Sequence, residues 1–340
     1  MNAKLVAIAA LVAAASSLLL ISGRGEPKPK TKGRVRVGVV FDVGGRGDKS
    51  FNDAAYRGAE RAERELDADV SFLEPTGAED REAALRLFAS RELDLVVGVG
   101  FIFGRDVDAV ARDYPREKFA CVDYAVAHQE GPMPPNVRGL VFREEEGSYL
   151  VGAVAGLMTK TKHVGFIGGM TIPLIRRFER GYREGVKAVC DTCSLHVGYA
   201  GSTPEAFKDP ERGKTISITQ MALGADVLFH AAGSTGHGVF EAAHDAKIAA
   251  IGVDSDQFDE MPDVIVTSMV KRVDVALFET IRDVIEGRFD GGIHALGVKE
   301  GGVDYIHEGP HAVHLSPDIR AKVDSLKAEL ASGVRVVAPE

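Results

Sequence analysis

The feature that most constrains this chain is a repeated alternation that begins at residue 35. Short apolar runs are each followed by a polar or glycine-bearing turn, and then by a segment with apolar residues at helical spacing. Continuous Val/Ile/Leu runs are the mark of strands buried on both faces. Their alternation with helices predicts parallel sheets covered by helices on both sides. The pattern comes in two sets of similar size. A chain of 340 residues is also longer than one hydrophobic core usually spans. The expected fold class is therefore α/β, with two Rossmann-like lobes.

In the first set the pattern predicts strands over 35–41, 69–73, 93–99, 119–122 and 137–142, with helices over 52–66, 78–90 and 104–113. The last helix stops at Tyr114-Pro115, because proline biases the residue before it away from helix. The second set predicts helices over 146–159, 173–189, 211–223 and up to 246, and strands over 164–167, 195–199, 227–230, 248–253 and 264–268. A helix over 273–287 is expected to return to the first lobe, which puts crossing strands and a hinge between the lobes. The tail carries hairpin-like strands near 295–299 and 303–306. A helix then runs to Ala331 from an N-cap at Ser316, with Pro317 at its first position. The expected divisions are a signal or anchor segment at 1–23, a linker at 24–34, lobe 1 at 35–142 and lobe 2 at 143–270. Residues 271–290 then return to lobe 1, and 291–340 lie mostly with lobe 2.

At the N-terminus, residues 1–21 hold one charge, Lys4, in an otherwise apolar to weakly polar run. That is a secretory h-region, slightly long and near the length needed to span a bilayer. Leu20-Ile21-Ser22-Gly23-Arg24 reads like a bacterial lipoprotein signal with Arg24 where the lipid-bearing cysteine would stand. Cleavage after Gly23, cleavage after Ala15 and an uncleaved membrane anchor all remain open. Arg24, Lys28, Lys30, Lys32 and Arg34 follow the run, and the positive-inside rule would hold that flank in the cytoplasm. The h-region favours export to the periplasm or cell envelope, tethered or released. The Pro-Lys alternation over 26–33 reads as an extended linker.

Charge and cysteines narrow the function classes. The net charge is −9, and no basic patch is concentrated enough for nucleic acid. Cys121 sits in an apolar run and reads as a buried small residue. Cys190 and Cys193 form a C-x-x-C pair, which could serve redox chemistry, half a metal site or a local disulfide. The pair closes a helix and precedes a strand, and there is no second C-x-x-C or C-x-x-H, so a structural pair is favoured, oxidised in an exported protein. No metal or other cofactor is expected.

Ligands of open α/β sheets bind beyond the carboxyl ends of the strands. The first strand ends in Asp42, followed by the loop Val43-Gly44-Gly45-Arg46-Gly47-Asp48-Lys49-Ser50 and then Phe51-Asn52-Asp53. Ser50 and Asp53 have capping-box spacing. A phosphate loop would need glycine directly before Lys-Ser, and Asp48 stands there instead, a charge that repels phosphate. A carboxylate, a ring and an amide suit a neutral, hydroxylated, ring-bearing ligand. Asp123, Gly233, Asp254 and Lys271 lie at other strand ends, with Asp256 as a neighbour. An aspartate after a strand is often only a turn former, but recurrence at the same edge in both halves points to a two-jaw site.

The chain resembles the basic membrane protein family of ABC-transporter substrate-binding proteins, the group that includes purine nucleoside receptors. The resemblance rests on Asp48-Lys49-Ser50-Phe51-Asn52 with Gly58, Gly98-Val99-Gly100-Phe101, Tyr114-Pro115 with Phe119 and Asp123, and Glu144-Glu145 with Gly147-Ser148-Tyr149-Leu150-Val151-Gly152. It continues through Gly224-Ala225-Asp226-Val227, Ala232-Gly233 with Thr235-Gly236, Ile251-Gly252-Val253-Asp254-Ser255-Asp256-Gln257 and Thr267-Ser268-Met269-Val270-Lys271-Arg272-Val273-Asp274. It implies a type I periplasmic-binding-protein fold closing on a nucleoside, with an ABC permease as partner and a monomeric state. By motif position, Phe51 and Phe207 would sandwich the base and Asp123 would bind its polar edge. Asp42, Asn52, Gly233, Asp254 and Lys271 would hold the ribose and its surroundings. Carboxylates at these places favour nucleosides over nucleotides. The chain departs from the family at Arg24, at Ser234 in place of a glycine, and in the Cys190/Cys193 pair.

Three functions compete. The first is a solute-binding receptor delivering nucleosides to an importer. The second is a membrane-tethered sensor of the same fold, whose closure signals to a partner. The third is a nucleoside-processing enzyme, which is disfavoured because the sequence offers no nucleophile elbow, complete metal set or phosphate loop.

Overall fold

The computed structural model describes residues 33–42, 44–75, 80–125 and 131–339. The signal or anchor segment, the linker up to residue 32, Val43 and the start of the helix expected from Ala78 lie outside the described residues. A compact body begins at Val35.

The first sheet has the order β11-β5-β4-β3-β1-β2. Its strands are β1 (Val35–Val40), β2 (Ala68–Leu73), β3 (Leu95–Val99), β4 (Phe119–Val122), β5 (Val137–Phe142) and β11 (Gly292–Leu296). Every pairing is parallel, with registers such as Val37↔Val70, Val37↔Leu95 and Gly98↔Cys121. The second sheet has the order β12-β10-β9-β8-β6-β7. Its strands are β6 (His163–Met170), β7 (Ser194–Gly201), β8 (Val227–Ala231), β9 (Ala249–Asp254), β10 (Ile265–Lys271) and β12 (Val303–Tyr305). It is parallel except that β12 runs antiparallel to β10.

Strand alternation sends successive side chains to opposite layers. In β1, Val37 and Val39 face the layer of α1 (Phe51–Glu65) and α8 (Val273–Ile285), whereas Val40 faces α2 (Asp80–Ser90) and α3 (Gly104–Asp113). Helix α8 packs on α1, so the chain returns to the first lobe after building most of the second. The second sheet carries α4 (Glu144–Met158) and α5 (Pro173–Val189) on one side, and α6 (Pro210–Ala222) and α7 (Gly236–Ala246) on the other. Helices α4 and α5 approach closely because α5 presents glycine. A Cβ at Gly185 would lie 2.0 Å from the Tyr149 carbonyl oxygen.

Two expectations are corrected. The tail strands do not form a hairpin: β11 extends the first sheet beside β5, while β12 closes the second beside β10. The run from 297 to 302 is thus a third crossing between the lobes, beside those at Arg143 and Arg272. Ser50 and Asp53 also form no capping box. Ser50 stands at the N-cap of α1 without a side-chain cap bond. The final helix, α9 (Pro317–Ala331), does start as expected, with Ser316 Oγ accepting from the Ile319 amide. Cys190 and Cys193 are joined in a disulfide between the end of α5 and the start of β7, and Cys121 is free and buried.

Candidate functional site

The strand ends of both sheets meet at one interlobe cleft of about 650 Å³ including its open mouth. All eight sequence-derived site residues line it. Asp42 follows β1, Phe51 and Asn52 open α1, and Asp123 follows β4. From the second lobe come Phe207, Gly233 after β8, Asp254 at the end of β9 and Lys271 at the end of β10.

The capping role at α1 belongs to Asp48. Its buried carboxylate accepts from the amides of Ser50 (2.9 Å), Asn52 (2.8 Å) and Asp53 (3.1 Å). A helix N-terminus is where an anion would otherwise be received. Here a side-chain carboxylate fills that place, and a phosphate would face it. Asp48 also accepts from Asn52 Nδ2 at 3.1 Å. This fixes the Asn52 amide and leaves its buried Oδ1 without a partner among the described residues. Asp53 secures the loop by accepting from the amides of Gly47 and Lys49.

Lys271 is 1% exposed, and its ammonium sits among carboxylates. Nζ lies 2.6 Å from Asp123 Oδ1 and 3.0 Å from Glu144 Oε1. Burial opposes the charge, but the carboxylates of Asp123, Glu144 and Asp254 outweigh it and raise the ammonium above its ordinary value. The rings of Phe51, Phe142 and Phe178 surround Nζ, with centroids at 5.2, 5.0 and 5.6 Å. Arg177 extends the chain of charges, with Nε donating to Glu144 Oε2 at 2.8 Å. Lys271 therefore lines the cleft while its charge is committed to holding Asp123 in place.

Asp254 has a different environment. Ser50 Oγ, from the other lobe, lies 3.0 Å from its Oδ2 and 3.1 Å from the Val253 carbonyl oxygen. Ser255 Oγ donates back to the Ser50 carbonyl at 2.8 Å, so this corner latches the lobes together. Burial drives the Asp254 carboxyl up to about 7, against the pull of Lys271. Its buried Oδ1 has no hydrogen-bond partner among the described residues. Asp123 and Asp254 share a left-handed backbone, with φ of 59° and 63°. That conformation is uncommon for residues other than glycine, and Asp is among those enriched in it.

The aromatic surfaces come from both lobes. Phe207 rests against β6 at Gly169, where a Cβ would lie 2.3 Å from its ring. Across the cleft its ring meets Phe101 at 6.2 Å between centroids, tilted by 58°. Phe51 is half-buried over Lys271. Phe101, Leu174, Ile175 and Phe178 complete the apolar walls, and sequence reasoning gave none of them a role. Phe101 follows Gly100 at the end of β3, so a search of every strand end would have found it. The α5 residues come forward only once α5 is packed. Among the described residues no three metal-ligating side chains gather at one point. The buried His230 is pushed down to about 3 by burial and stays neutral in β8.

Two similar α/β lobes, three crossings and one cleft lined from both sides define a type I periplasmic-binding-protein fold. Residues 35–327 match the family described as ABC transporter substrate-binding protein PnrA-like, and the chain belongs to that family. A lipoprotein of Pyrococcus furiosus is 39% identical over 80% of this chain and 70% of its own length. A Lactococcus lactis protein named ABC transporter nucleoside-binding protein BmpA is 31% identical over 89% of this chain and 91% of its own. Among solved structures, an ABC transporter solute-binding protein from Aeropyrum pernix is 34% identical, with a TM-score of 0.79, over 90% of this chain and 94% of that one. The family is one of substrate-binding proteins of ABC transporters, not of enzymes.

Proposed function

We propose that the cleft captures a nucleoside, with a purine base, and that the protein hands it to an ABC permease from outside the cytoplasm. The observation that carries this reading is the character of the lining. Stacking rings from both lobes stand beside unpartnered acceptors, and the N-terminus of α1, behind the loop after β1, is filled by Asp48 rather than open to a phosphate. Phe51 and Phe207 offer faces for a base, and base–aromatic stacking contributes roughly 1–3 kcal/mol per base. Asp123 is the acceptor for N–H groups on the base edge. Asp42, Asn52, Gly233 and Asp254 surround the ribose, and Lys271 serves by fixing Asp123. The name of the Lactococcus relative supports a nucleoside. Lipoprotein relatives support an extracytoplasmic, membrane-tethered place, as does the Cys190–Cys193 disulfide.

Thermal shift and calorimetry with a nucleoside panel test the proposal. At least one purine nucleoside is expected to raise Tm, its 5′-monophosphate is expected to leave Tm unchanged, and Phe51→Ala should weaken binding roughly 10- to 100-fold. If no nucleoside shifts Tm, the proposal is wrong.

A further inference from the structure

A second space adjoins the cleft at Asp123. Beyond Phe101, Asp123 and Leu174, this second space, open to solvent, lies between the same two lobes. Those three residues line both spaces. The second space is walled by Ile102, Val141, Phe142 and Ile172, with Arg105, Tyr124, Glu145 and Arg177 as polar groups.

Glu145, in the first turn of α4, is 5% exposed, and its Oε2 has no hydrogen-bond partner among the described residues. The Arg177 Nε lies 3.9 Å from that oxygen, but it is committed to Glu144 at 2.8 Å. Burial, aided by the charge on Glu144, raises the Glu145 carboxyl to about 7. Near neutral pH it can thus accept or donate a hydrogen bond. A buried polar atom without a partner carries a free-energy penalty that a ligand group can relieve. An apolar space with a few convergent polar groups is also the usual make-up of a small-molecule subsite.

Resting on the nucleoside reading, we infer that this compartment extends the binding site and admits a substituent carried on the base edge that faces Asp123. The substituent it fits ends in an N–H or O–H donor that pairs with Glu145, whose Oε2 is sealed in the free protein and must turn toward the space to meet it. A pocket closed behind Asp123 would reject a substituent on that edge by overlap. Here a group passing beside Asp123 enters open space, so the protein takes base-modified nucleosides as well as plain ones.

Calorimetry on the full chain with adenosine, inosine and N6-(2-hydroxyethyl)adenosine tests this. The substituted nucleoside is expected to bind within about tenfold of adenosine. A loss greater than that, with adenosine still bound, overturns the inference. Gly104→Phe supplies the second measurement. Gly104 opens α3 and lines only the second compartment, and a Cβ there would make ordinary contacts with Ala125 and Tyr124 at 3.6–4.0 Å. The variant should keep adenosine binding while weakening the substituted nucleoside about tenfold or more. An equal effect on both ligands would place the substituent elsewhere and overturn the assignment. If neither adenosine nor inosine binds the wild-type protein, the nucleoside reading itself falls and the extension falls with it.

Discussion

Asp123 and Asp254 occupy equivalent places in the two lobes, and they face different partners. Asp123 follows, and Asp254 ends, the strand third from the corresponding edge of its sheet, and each has a left-handed backbone. Asp123 faces a buried ammonium at 2.6 Å. Asp254 has a serine hydroxyl from the other lobe, and burial raises it to about 7. The difference comes from what stands one strand over, at the ends of the neighbouring strands. Lys271 ends β10 and reaches across to Asp123, whereas Arg143 follows β5 and turns away to Glu300, at 3.1 Å. Burial raises both carboxyls, so the duplicated scaffold supplies one acceptor held against a fixed ammonium, which pulls it back down, and one held only by a hydroxyl.

The largest expected effect comes from removing the counter-ion. Lys271→Met leaves Asp123 and Glu144 buried without their cation and should cost about 3–5 kcal/mol of stability, read by chemical denaturation. A loss under 1 kcal/mol would mean that Asp123 resembles Asp254 and that the contrast is false.

The next effect is on pH. Asp254 has an ordinary value of 3.8 and a folded value of about 7. Between those values the unfolded chain ionises while the folded protein holds the proton. Stability therefore falls as pH rises through that window, and levels off above it. Glu145, raised from 4.5 to about 7, contributes with the same sign. In melting curves from pH 4 to 8, Asp254→Asn should gain Tm relative to the wild type as pH rises, about 2–4 °C for each kcal/mol relieved. A constant difference across the series would contradict the assignment.

The smallest effect is at the latch. Ser50→Ala removes the hydroxyl shared by Val253 and Asp254 and should cost about 0.5–1.5 kcal/mol. Small-angle scattering should show the free protein more open. An unchanged profile would mean the lobes are held elsewhere, at Lys271.

The alternation of strands and helices was readable because both faces of each sheet are covered, which leaves the strands uniformly apolar. The strand-end residues were readable for a related reason: an open α/β sheet has one edge where polar groups can converge. Ser50 misled because Ser-x-x-Asp spacing cannot reveal that Asp48, two residues earlier, already holds the amides. That assignment depends on how the glycine-bearing loop turns. Glu144, Glu145 and Arg177 could not be assigned a role from spacing, since their partners come from distant segments: Lys271 follows Glu144 by more than a hundred residues. The separate destinations of β11 and β12 were hidden for the same reason, because adjacency in sequence suggests a hairpin unless the open edges of both sheets are known.

The late return of the chain to its first lobe sets an order of assembly. Helix α8 and strand β11, which cover α1 and pair with the edge of β5, are residues 273–296 and follow nearly all of the second sheet. A chain made from its N-terminus therefore cannot finish the lobe it started first. Until residue 296 is available, β5 shows an unpaired edge and α1 an uncovered apolar face, features that invite association with other chains. A product truncated before Val273 would carry a nearly whole second sheet beside an incomplete first one, and pulse proteolysis of such fragments should digest the N-terminal half first.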